Sequence, residues 1–74
     1  MKEQFIELGE QLDAESWQWL VENHPSIADA VELSIARGAT PEQIRGFVLR
    51  RCGANRVEFA RRCESAARHL TGDK

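Results

Sequence analysis

Residues 26–53, SIADAVELSIARGATPEQIRGFVLRRCG, read as two helices folded back on each other at Arg37-Gly38-Ala39-Thr40-Pro41. Each helix end carries its own punctuation. Ser26 is placed to cap the first helix with its hydroxyl, Asp29 completes a capping-box pattern three residues on, and Pro25 ends whatever precedes. Gly38 can take the left-handed conformation that closes a helix without a Cβ clash, which stops the first helix near Arg37. Thr40-Pro41-Glu42-Gln43 then starts the second: threonine caps, proline sits where its missing N–H costs nothing, and Gln43 can reach back to the cap. Gly53 closes that helix in turn.

Outward from this hairpin the same reasoning extends to both ends. Asn55 with Glu58 three residues later signals a helix from about Arg56 to Leu70 that stops before Gly72. Val57, Ala60, Cys63, Ala67 and Leu70 line its inner face, with Phe59 and Ala66 widening the stripe. On the second hairpin helix Ile44, Phe47, Val48 and Cys52 recur at three- and four-residue steps. Its interior Gly46 marks a place where a neighbouring helix is expected to cross closely. Ile27, Val31, Ser34 and Ile35 form the inward stripe of the first hairpin helix, widened by Ala30 and Leu33. Upstream, Asp13 reads as the cap of a helix over Ala14 to Asn23 whose apolar face is Trp17, Leu20 and Val21. Trp19 lies off that face and either packs against the N-terminal segment or meets a partner. Residues 1–12 carry the weakest signal: Phe5, Leu8 and Leu12 share one helical side, but Gly9 interrupts it.

The expectation is an all-α single domain over residues 1–74, a compact bundle of four helices with a possible short fifth at the N-terminus and a flexible tail over 71–74. A chain of 74 residues buries roughly 60% of the surface its unfolded form exposes, so the core should be thin. An apolar content of 42% beside 30% charged residues marks a globular composition rather than a disordered one. No apolar run approaches the roughly 20 residues of a membrane span, and the acidic N-terminus lacks the basic start and apolar middle of a secretory signal. A cytosolic protein is expected, with Cys52 and Cys63 as reduced, buried thiols; a disulfide between them is the minor alternative.

No catalytic constellation, phosphate-binding loop or complete metal motif appears. The spacings of Cys52, Cys63, His24 and His69 match no zinc pattern, and both histidines sit at helix ends where a capping role suffices. The chain is therefore expected to act without catalysis, cofactor, metal or small-molecule substrate.

Charge layout is the functional clue. Residues 1–43 carry nine acids against Lys2 and Arg37, a balance of −7, while residues 44–74 carry eight bases against Glu58, Glu64 and Asp73, a balance of +5. Such asymmetry concerns partners or self-association rather than the fold. Nearly all the bases are arginine, whose planar fork suits carboxylates and phosphates and stacks on aromatic rings. A small adaptor or regulator that binds another protein, or its own copies, through opposed acidic and basic faces follows most directly; its candidate anchors are Trp19, Arg45, Arg50, Arg51, Arg56, Arg61 and Arg62. The runner-up is a helix-turn-helix-like DNA or RNA binder that reads with Gln43, Arg45 and Arg50 and holds phosphates with Arg56, Arg61 and Arg62. A sequence pI near 5.6 counts against it. A third account needs no partner: the two charge sets pair within the fold and on solvated helix faces, where an exposed ion pair contributes only about 0–1 kcal/mol.

Overall fold

The computed structural model describes the backbone of residues 2–72 and the side chains of residues 12–72. The chain is all-helical: α1 (Lys2–Asn23), α2 (Pro25–Ala36), α3 (Pro41–Cys52) and α4 (Val57–Thr71) pack as a four-helix bundle. Thr71 thus closes α4 and Gly72 caps it in the left-handed conformation at φ 61°, while residues 73–74 of the expected tail lie outside the described residues.

The N-terminal segment is not a separate fifth helix. Lys2 to Asn23 run as one helix through both Gly9 and Asp13. Asp13 is no cap, because its carboxylate has a tertiary partner: it accepts the Ser65 hydroxyl at 2.6 Å, bonding α1 to α4. The packing of α1 along α4, the most extensive helix pair in the fold, offsets the roughly 1 kcal/mol that an interior glycine costs.

α1 passes into α2 through a single residue, His24 (φ −140°, ψ 66°). Its N–H donates to the Leu20 carbonyl at 2.8 Å and its carbonyl accepts from Ala28 at 2.9 Å. Pro25 then opens α2 with its φ already helical, so Ser26 falls inside the first turn and does not cap. A similar shift affects α4. The Arg56 N–H closes a turn onto the Gly53 carbonyl at 3.1 Å, which holds Asn55 within the turn and leaves Arg56, with no side-chain cap bond, at the helix start.

The central hairpin follows its sequence signals closely. Thr40 and Gln43 form the reciprocal capping box, Gln43 N–H to Thr40 Oγ1 at 3.2 Å and Thr40 N–H to Gln43 Oε1 at 2.9 Å. Gly38 at φ +98° lets Gly38 and Ala39 return their N–H groups to Ile35 and Ser34, each at 3.0 Å. Gly46 departs from expectation: among the described residues no atom of another helix lies within 4 Å of where its Cβ would sit.

The core comprises Leu20, Ala28, Val31, Ile44, Val48, Ala60, Cys63, Ala66 and Ala67. α4 supplies four of these, all small, and its alanine-lined surface lets α1 and α3 approach on either side. Ser65 and Arg62 meet α1 on one flank and Glu64 meets α3 on the other; among the described residues no packed contact joins α1 to α3. Burial is narrower than the sequence stripes. Val21, Leu33 and Val57 are exposed; so are Ala30, Phe47 and Cys52, because α2 and α3 make the sparsest contact of any packed pair and leave their facing sides apart. Ala28, which lay off the expected stripe, is buried instead. Both cysteines are free thiols, Cys63 buried and Cys52 exposed.

Candidate functional site

The arginines of α3 and α4 divide into those the fold consumes and those it presents. Glu64 is only 6% exposed, and a buried carboxylate needs partners. Arg45 approaches one of its oxygens at 3.7 Å and Arg68 bonds the other at 3.2 Å, so this trio fastens α3 to α4. Arg45 is therefore largely a structural residue. The sequence held one sign of this, the four-residue step from Glu64 to Arg68; that the carboxylate would be buried depended on how α3 crosses α4.

Two further arginines lie on aromatic rings. The Arg62 guanidinium stands 4.4 Å over the Trp19 ring and that of Arg51 stands 5.5 Å over Phe47. Stacking of this kind fixes the plane while the N–H groups along the edge stay available to a carboxylate or phosphate. Trp19 packs against α4 and the α1–α2 joint: its ring centroid is 6.1 Å from that of Phe59 and 5.3 Å from that of His24, with His24 and Phe59 themselves 5.0 Å apart.

Three shallow hollows run along this side of the bundle. The first, about 330 Å³, lies between α2 and α3 and includes Ile27, Val31, Phe47, Val48, Arg51 and Cys52. The second, about 360 Å³, is lined by His24, Ile27, Cys52, Arg56 and Phe59. A third of about 280 Å³ is bounded by Trp19, Glu58, Phe59 and Arg62. Shared Ile27 and Cys52 join the first to the second, and shared Phe59 joins the second to the third. The structure thus brings Arg51, Arg56, Arg62 and Trp19 together along one ridge; Arg45, Arg50 and Arg61 line none of these hollows.

No described acid of the N-terminal half makes an ion pair with that ridge. Among the described residues the only ion pairs are the two on Glu64, both inside the basic half. Asp13 is bonded to Ser65 and Glu22 to Gln18. Burial, with the neighbouring Cys52 thiol adding to it, pushes Cys63 up to about 11, which makes it a poor nucleophile. No group of three or more His, Cys, Asp or Glu side chains among the described residues could hold a metal ion, and no described helix is long and apolar enough to cross a membrane. Compared with protein-family models, curated proteins and solved structures, the chain matches none of them.

Proposed function

We propose that this protein is a non-catalytic binding module of the adaptor or regulator kind, which docks acidic protein surfaces on the ridge of Arg51, Arg56, Arg62 and Trp19. The partner is another protein or the acidic half of another copy. One observation carries the reading: the arginines of the ridge have no ion-pair partner among the described residues, although the chain as a whole has more acids than bases. Ion pairs among the described residues therefore do not account for them. Arginine and tryptophan are also the side chains that most often anchor protein interfaces.

Nucleic-acid binding is less well supported because two of its three expected readers are engaged. Gln43 has its amide oxygen committed to the Thr40 cap and Arg45 is tied to Glu64. The remaining arginines still suit phosphates, so the test must offer both ligands. Light scattering and titration across salt concentration would compare a glutamate-rich peptide with a short DNA duplex, for the native chain and for R51E/R56E/R62E. The reading expects a salt-sensitive complex with the peptide, or a salt-sensitive assembly of copies, that the triple reversal abolishes. A duplex complex with a steep salt slope and no peptide binding would replace it with the nucleic-acid reading.

A further inference from the structure

A hollow lies between α2 and α3, the most sparsely packed helix pair. Beside Ile27, its α2 wall carries the small residues Ser26, Ala30 and Ser34, where leucine-sized side chains would have filled more of it. Its floor is Val31, Ile44 and Val48, and Phe47 on its α3 edge is 41% exposed. Joined to the second hollow through Ile27 and Cys52, it forms a groove beside two helices of 12 residues each. The lining of the hollow runs from Ser26 to Ser34 on α2 and from Ile44 to Cys52 on α3, about 12 Å along each helix, so it matches roughly two turns of a guest helix.

The charged residues lining the joined groove, Arg51 and Arg56, are both basic. Steps of 100° per residue put Asp29 and Glu32 on the flank of α2 opposite Ile27, Ala30 and Ser34, so no carboxylate of that helix offsets them. An apolar floor with a cationic rim complements one kind of guest. We infer that the α2–α3 groove receives an amphipathic helix from a partner protein, with apolar anchors at i, i+3 or i+4 and i+7 along one face and Asp or Glu on its borders. This rests on the protein-binding reading above and names the class of partner. Two copies meeting groove to groove would set arginine against arginine, and a bare polyanion would leave the apolar floor wet.

The probe is a capped amphipathic peptide of about twelve residues with leucines on one face and glutamates on its borders. Amide chemical-shift mapping of the full chain would follow it beside two relatives, one with lysines for the glutamates and one with serines for the leucines. The expected result is saturable binding of the first peptide, with shifts confined to His24, α2, α3, the turn before α4 and the first turn of α4 around Phe59. Arg51→Glu and Ala30→Trp, a charge reversal on the rim and a plug on an exposed wall, should each weaken it by about tenfold or more. Asp29→Asn on the far flank should leave it unchanged. If the serine peptide binds as tightly as the leucine peptide, the groove inference fails while the arginine ridge stands. If no glutamate-bearing peptide binds, both fail. Equal binding of the lysine peptide would overturn the role of the rim, and growth of the particle mass with protein concentration at the expense of peptide binding would give the groove to a second copy.

Discussion

Gly46 and Gly53 lie seven positions apart in the chain, and the fold asks opposite things of them. Gly46 occupies ordinary helical backbone with open space where a Cβ would go, so Gly46→Ala should stabilise the protein by about 0.5–1 kcal/mol. Gly53 holds φ +119°, and an added Cβ would stand 3.0 Å from Asn55 Oδ1. Gly53→Ala should accordingly cost about 1–3 kcal/mol. Urea midpoints of the two variants check both signs. Cys63 gives a second residue-scale prediction. Its folded thiol is raised to about 11 from an ordinary value of 9.0, so the unfolded chain loses that proton first. The contribution is full below about pH 9, declines as pH rises from 9 to 11, and should amount to roughly 2–3 kcal/mol across that window. Unfolding titrations at pH 8 and pH 11 should show a larger loss in the native chain than in Cys63→Ala, and at neutral pH the exposed Cys52 should alkylate while Cys63 resists.

Between elements, the seam of α3 and α4 depends on Glu64. Removing its carboxylate leaves Arg45 and Arg68, each about half exposed, to be taken up by water, so the loss is the buried end of the interaction. Glu64→Ala should destabilise by about 1–3 kcal/mol, and a double-mutant cycle with Arg45→Ala should show coupling between the two helices; strict additivity would mean that Arg45 belongs with the presented arginines after all. The elements themselves were legible where a signal is local. The Thr40–Gln43 box, the Gly38 turn and the Gly53 stop each arise from residues within a few positions of one another, and each forms as read. Asp13, Ser26 and Asn55 have the same chemistry as good caps, but Asp13 is drawn to Ser65 fifty-two positions away, and the other two lie within a residue or two of the start set by Pro25 or by the Gly53–Arg56 turn. Likewise the site was half legible. The abundance of arginine was plain, yet which arginines are consumed and which are stacked on Trp19 and Phe47 depends on helix crossing, which periodicity does not encode.

At the scale of the molecule, α1 is about 33 Å long and sets the 38 Å long axis of a body 26 by 22 Å across. With α4 at the centre, α1 and α3 occupy its two flanks, so the acidic first half and basic second half of the chain fold into adjoining layers without side-chain ion pairs between them among the described residues. This separates the electrostatics of folding from the electrostatics of binding. The pairs that hold the fold converge on one buried carboxylate, which salt screens weakly, whereas the ridge of Arg51, Arg56 and Arg62 faces water and is screened within about 10 Å at 0.1 M salt. Raising sodium chloride from about 0.05 to 0.5 M should therefore move the unfolding free energy by less than roughly 0.5 kcal/mol, while the complex with an acidic peptide weakens severalfold over the same range. Parallel urea titrations and peptide titrations at the two salt concentrations make the comparison. If stability instead falls in step with binding, the acidic and basic layers attract one another enough to support the fold, and the arginine ridge has its partner already within the chain.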